Sequence, residues 1–498
     1  MNEGPSESVR DAAVTGRIAA RGAGLLIVRQ ALVSLAMLGG VLALSVLLDP
    51  SQFALYGFVS TVMLIAAAVG DLGLGASLIR ARSLNPRHLS GSFALQLVFW
   101  LLICVAGIAA GSLLSVYGFS TTVVVLLFAT LLLLSLQALP TALLERRMAF
   151  GRIAAAEVLQ RMVFVGVAVA LAATAPAQWS IPVAAASAAV ISYPAVMLLA
   201  GWRWPPRFVR GEPLFRGFSS DWWQSRIANQ LTYATYPLLG GILFTTAEVG
   251  LMVWALAITS IPALLSPMVA RAIFPAASKV DDSQQVDVFR PLFKILLLAG
   301  MPLVATLFAC AQPLTQYVLG TQWLDGVTLL RLESITTLIG LALTSVTPLL
   351  FLALPARTVK RIMVIWLLAV LVLAVALAPI ASFRAISIAQ IAASSVVLLI
   401  VSRLLARSRS YNLLKDMLPG LAGIAIAIAI GFPLASLADS AFTALAIAAS
   451  VGVVQLGTAV LLGGGVDPRL LLARVGSDSV APDPALVEAR LPGEEAKA

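Results

Sequence analysis

Only 11% of the 498 residues are charged, histidine occurs once (His88), cysteine twice, and the dipeptide Gly-Lys nowhere. Each scarcity excludes something. Without Gly-Lys there is no GxxxxGK[ST] loop to cradle a nucleotide phosphate. One histidine allows neither HExxH nor a histidine metal cluster. Cys104 and Cys310 both lie inside apolar stretches, so a structural disulfide is not expected. No dinucleotide fingerprint and no nucleophile–base pair stands out. The expectation is therefore no enzyme, no cofactor and no metal, and work that consists of movement. So little charge also excludes a soluble chain of this length, which would divide into several polar-surfaced domains.

What is there is apolar. Hydrophobic residues make up 60% of the chain, and mean hydropathy is +0.99. Continuous apolar stretches of membrane-spanning length recur from end to end, which argues for a polytopic all-α membrane protein and against the short alternating strands of a β-barrel. Candidate spans fall at 24–48, 53–79, 93–116, 121–144, 154–175, 180–201, 222–245, 248–274, 292–319, 328–354, 362–380, 384–405, 418–437 and 441–465. The first is too long, and lacks the small-residue cleavage site, for a signal peptide. Of 33 Lys and Arg, 27 lie in or directly beside the even-numbered connections and the two tails. One, Arg384, lies on the opposite side, and Arg29, Arg161, Arg226, Arg271 and Arg331 lie within spans. The split predicts about fourteen helices with both termini cytoplasmic, since one missed span would scramble the alternation. It also accounts for a pI near 10.1 without a nucleic-acid partner.

The halves of the chain echo one another. "LGGVL" at 38–42 returns as "LGGIL" at 239–243, and "PTALLERRMAFGRI" from Pro140 as "PLLFLALPARTVKRI" from Pro348. Two six-helix halves of like orientation, related by an axis along the membrane normal, would explain both. The expected organisation is a cytoplasmic tail (1–23), an N-lobe (24–201), a cytoplasmic linker (202–221), a C-lobe (222–405), two further helices (406–465) and a disordered acidic tail (466–498).

Charges inside spans need partners or water. Asp71, in "GDLGLGASLIR", is matched in depth by Arg29 on the neighbouring helix. Glu157 and Arg161, four apart, share a helix face. Arg226 and Arg271 are then left over, so the inner half of the bundle is net basic. Asn229, Gln230, Tyr233 and Tyr236 follow Arg226 at near-helical spacing, as either a sugar-binding stripe or interhelical packing. Arg331 and Glu333 are expected to form an interfacial pair at the outer end of the tenth span.

"DPSQFALYGFVSTVMLIAAAVGDLGLGASLIR", "LERRMAFGRIAAAEVLQRMV", "VGLMVWALAITSIPALLSPMVARAIFPAASKV" and "VLGTQWLDGVTLLRL" together resemble polysaccharide-biosynthesis flippases, over about residues 50–410. These belong to the multidrug/oligosaccharidyl-lipid/polysaccharide exporter superfamily. "FALYG" departs from the family's usual Gly-Leu before the tyrosine. The resemblance implies two six-helix lobes around a V-shaped cavity, with two C-terminal helices added, working by alternating access. The implied cargo is a polyprenyl-diphosphate-linked oligosaccharide crossing a bacterial inner membrane, with a polysaccharide polymerase and export machinery as implied partners. Arg29, Arg161, Arg226 and Arg271 would meet the diphosphate, with Asp71 and Glu157 as charge partners in the lumen. A cation-coupled multidrug exporter of the same superfamily, which would favour a more acidic cavity, and a polysaccharide polymerase or ligase, which would need a large outward loop, are the competing readings.

Overall fold

The computed structural model describes residues 38–70, 72, 74, 86–109, 120–147, 149–174, 177–201, 218–261 and 284–464. Among them there is no strand. The helices are α1 (Leu38–Leu47), α2 (Pro50–Gly70) and α3 (Pro86–Ala109), α4 (Thr121–Arg146, interrupted at Gln137), α5 (Phe150–Ala172), α6 (Ala177–Ala200), α7 (Phe218–Leu243) and α8 (Thr246–Thr259). They continue with α9 (Gln285–Ala309), α10 (Val327–Ala353), α11 (Ala356–Ala381), α12 (Ala385–Arg409), α13 (Leu413–Ala435) and α14 (Ala441–Ala459). Nine helical runs among the described residues are long and apolar enough to cross a membrane, one of them (Ala356–Arg409) a hairpin of α11 and α12. The polar first half of α7, "SSDWWQSRIANQ", keeps that helix out of the set. Large apolar side chains stand exposed along α11 and α14, including Val372 (67%) and Val453 (70%), as a surface facing acyl chains requires.

Short turns alternate the direction of the helices, and several carry their own caps. In "DPSQ" the Asp49 side chain accepts from the Gln52 amide at 2.9 Å and the Gln52 side chain accepts from the Asp49 amide at 3.1 Å, with Pro50 in the first helical position. Thr245 and Glu248 do the same for α8, and Ser440 and Thr443 for α14. The bundle thus has a charge-rich end, which holds the basic connections, and a charge-poor end, which holds these three capped turns.

Helices α2 to α6 pack on one another, and α9 to α14 form a second group to which α7 joins through α11. The second group encloses an apolar core built on Phe289, Phe293, Trp366, Leu341 and Val401. Helix α13 is tied to α9 at the charge-rich end. The buried Asp416 carboxylate takes a two-pronged hydrogen bond from Arg290 (2.8 Å at both the Nε and Nη2 contacts) and a third from the Tyr411 hydroxyl at 3.0 Å, with Lys294 at 4.0 Å. Burial first, and the Asp416 charge second, hold the Tyr411 hydroxyl well above the ordinary tyrosine range, so it stays a donor.

Candidate functional site: the seam between the lobes

Helix α2 belongs to the first bundle, yet it lies against α7 and α8 of the second. Helices α2 and α8 each admit the other through a glycine, and the expected six-helix repeat would make them equivalent. A Cβ on Gly250 would fall 1.6 Å from the Pro50 carbonyl oxygen, and a Cβ on Gly57 would fall 2.3 Å from a Val253 methyl. Reciprocal contact between equivalent helices is what a twofold relation between the halves predicts.

At the charge-poor end this contact widens into a layer of aromatic rings. Trp254 and Trp323 stack with centroids 4.9 Å apart, and Phe53 meets Trp323 edge-on at 5.3 Å. The Trp323 indole and the Gln322 amide both donate to the Ser45 carbonyl, at 2.9 and 3.0 Å. A single apolar cluster runs through this level, from Leu44 and Phe53 across Phe164 and Ile181 to Trp254, Leu330 and Ile386. The core is therefore continuous between the bundles here. At the charge-rich end α7 makes the crossing: the Trp223 indole donates to the Val69 carbonyl at 3.0 Å and packs near Leu72 and Leu74. On the α11 side of α7, Asp221 pairs with Lys360 at 2.6 Å and lies 3.9 Å from Arg357.

Of the residues singled out in the sequence, Arg29, Asp71 and Arg271 lie outside the described residues, so the Asp71–Arg29 pair has no structural account. Arg161 is exposed on α5, within electrostatic reach of the Tyr56 hydroxyl on α2, and Glu157 is half-buried on the same helix. Arg226 is exposed one turn after Trp223, and Asn229 and Gln230 are half-buried. The α7 stripe then turns into the bundle. Tyr233 packs edge-on against Trp366 at 6.0 Å, and Tyr236 is fully buried. In this arrangement the two amides are half-buried on α7, Tyr233 packs against the core of the second bundle, and Tyr236 joins the apolar cluster that spans the seam.

Glu333 requires a correction. The sequence reading paired it with Arg331 at the interface, but residues two apart on a helix face opposite ways. Glu333 turns into the bundle, where it is 0% exposed and accepts from the Tyr236 hydroxyl at 3.0 Å and from the Ser387 hydroxyl. Among the described residues no cation lies within ion-pair distance of it. One turn further along α12 from Ser387, the buried Gln390 amide has neither of its polar atoms paired among the described residues, and the Ser394 hydroxyl follows unpaired. A column of polar groups thus descends through the second bundle from just inside the tryptophan layer. Its sequence signal was "SIAQIAAS", polar residues at positions 387, 390 and 394 in an otherwise apolar span.

Two helical bundles that meet along a seam, with large apolar side chains exposed on their flanks, define a polytopic membrane protein. Residues 43–328 match the family described as polysaccharide biosynthesis protein, and the chain belongs to that family. A curated relative, the teichuronic acid biosynthesis protein TuaB of Bacillus subtilis (strain 168), is 25% identical over 310 residues. The match spans 57% of this chain and 63% of TuaB, less than two thirds of that relative's length. Among solved structures, the lipid II flippase MurJ in an inward closed conformation superposes with a TM-score of 0.60 at 11% identity, covering 88% of this chain and 98% of that one. An inward-facing multidrug resistance transporter of the MATE family, in the MOP superfamily, superposes at 0.53 and 17% identity over 76% of this chain and 95% of its own. Both share the fold.

Proposed function

We propose that the chain is a flippase that carries polyprenyl-diphosphate-linked oligosaccharides from the inner to the outer leaflet of a bacterial cell membrane, by alternating access, for surface polysaccharide assembly. The observation that carries this reading is the asymmetry of the seam. Its core is continuous at the charge-poor end, while the exposed cation Arg226 stands toward the charge-rich end and the exposed Arg161 at the middle of α5. A diphosphate head entering from the cytosol needs cations in a wet cleft, and the planar guanidinium fork matches phosphate oxygens. Family membership and a fold shared with a lipid II flippase support the same reading.

In this reading the charge-rich end is cytoplasmic, as are both termini, and the chain crosses the membrane fourteen times with the lobes divided at 202–221. Arg29 and Arg271 join the two described arginines, Asp71 and Glu157 balance them, and Asn229 and Gln230 meet sugar hydroxyls. A polysaccharide polymerase acts on the delivered lipid.

The test is flipping of a fluorescent polyprenyl-diphosphate sugar in reconstituted vesicles, read by an impermeant quencher. Wild type should expose the lipid to the opposite leaflet, and Arg161→Gln with Arg226→Gln should slow this about tenfold or more, the loss of one charge-assisted contact being worth that much. Undiminished flipping by the double variant would remove both arginines from the path. No flipping by wild type would remove the cargo.

A further inference from the structure

At the charge-poor end, on the outer flank of the second bundle and away from the seam, lies a cavity of about 300 Å³. Gln312, Gln316, Tyr317, Arg331, Phe432 and Ser436 line it, with small apolar residues behind them. Its walls come from three places: the connection between α9 and α10, the second turn of α10, and the end of α13. The connection is built to present polar groups. It widens into a π-helical turn over Thr315–Leu319, which ends at Gly320 with φ of 114°, a backbone that only glycine adopts without strain. Gln312 and Gln316, one turn apart and both exposed, share a face of it.

Arg331 is the cation of this cavity. Its guanidinium carbon sits 4.9 Å from the centre of the Phe432 ring, so one flat side is held by an aromatic face. Its Nε is buried and has no hydrogen-bond acceptor among the described residues, and no carboxylate there pairs with it. The nearest acid in sequence, Glu333, points into the bundle instead. A half-buried guanidinium fixed on an aromatic face, lining the cavity and without a carboxylate partner among the described residues, calls for an anion, and the two amides and the phenol beside it suit neighbouring hydroxyls.

The surroundings indicate where that anion comes from. Arg331 lies four residues into α10, about 6 Å along the axis from the helix start, which is head-group depth in a spanning helix. The rim next to Phe432 is apolar and open, with Ile430 45%, Leu434 37% and Leu437 69% exposed, a surface on which acyl chains can lie.

We propose that this cavity is a binding site for the phosphate of an anionic lipid whose head group carries hydroxyls. The chemistry is shared by bulk phosphatidylglycerol and by a lipid-linked saccharide, and the site stands independently of the transport reading.

Native mass spectrometry of the purified protein tests it, with phosphatidylglycerol, phosphatidylcholine, a polyprenyl-diphosphate saccharide and soluble glycerol phosphate as separate probes. Wild type should retain phosphatidylglycerol or the lipid-linked saccharide about tenfold over phosphatidylcholine, and Arg331→Gln should abolish that preference. Whichever anionic lipid is retained identifies the source. Gln312→Ala with Gln316→Ala, on exposed positions that do not hold the fold, should weaken retention severalfold and decides the matter if Arg331→Gln fails to fold. An unchanged preference in these variants, or glycerol phosphate held better than either lipid, overturns the assignment.

Discussion

Replacing Gly250 with alanine is expected to prop the lobes apart at the charge-poor end and to slow translocation about fivefold or more. The added Cβ would sit 1.6 Å from the Pro50 carbonyl oxygen, a backbone atom that no side-chain rotation can clear. Relief must come from separation of α2 and α8, and overpacking of this kind costs about 1–3 kcal/mol. That cost falls only on the state in which the two helices touch, so it shifts the balance between states by about 5- to 150-fold. The structural consequence can be read separately from transport. Ser45 is 0% exposed beneath Trp323, so in an otherwise wild-type chain a Ser45→Cys probe should react with an impermeant maleimide only slowly, while the lobes are apart. It should react severalfold faster in the Gly250→Ala background. The native Cys104 and Cys310 are buried and add little signal. Wild-type transport with a probe that reacts no faster would show that the contact tolerates the methyl group and that the closeness of α2 and α8 has no mechanical consequence.

The second large effect concerns stability. Glu333→Leu leaves the Tyr236 and Ser387 hydroxyls without their acceptor in a fully buried site. Each orphaned hydroxyl costs about 1–3 kcal/mol, so the variant should lose several degrees of thermal stability in detergent. Glu333→Gln keeps one carbonyl oxygen for the donors and should lose much less. A leucine variant at least as stable as wild type would mean that the carboxyl is only tolerated in the bundle, as buried ionic groups sometimes are.

Long apolar runs and the one-sided placement of basic residues made the all-helical membrane class and the direction of the helices legible without coordinates. Both signals are one-dimensional, and the capped turns at Asp49, Thr245 and Ser440 lie where those runs break. The repeats at 38–42 and 239–243 are faint, and nothing local in them showed how closely α2 and α8 would pack. Glu333 was misplaced because depth along a helix was weighed without direction around it. The two-residue step from Arg331 sends one side chain to the core and the other to the flank. The α7 stripe, expected to be either a sugar-binding surface or packing, passes from half-buried amides to a fully buried tyrosine within three turns, because Trp366 and Glu333 from neighbouring helices claim Tyr233 and Tyr236. Partners three and four helices away in the chain leave no local pattern to read. The bond from Trp323 to Ser45, 278 residues apart, is the plainest case.

The central claim, that the lobes must part and rejoin at the charge-poor end during each cycle, is tested most directly by tying them together there. Cysteines at Ser45 and Gln322, where the Gln322 side-chain amide donates to the Ser45 backbone carbonyl at 3.0 Å, can be joined by a short cleavable thiol linker. Flipping should stop on cross-linking and return when the linker is cut. Full cross-linking with undiminished flipping would contradict the account.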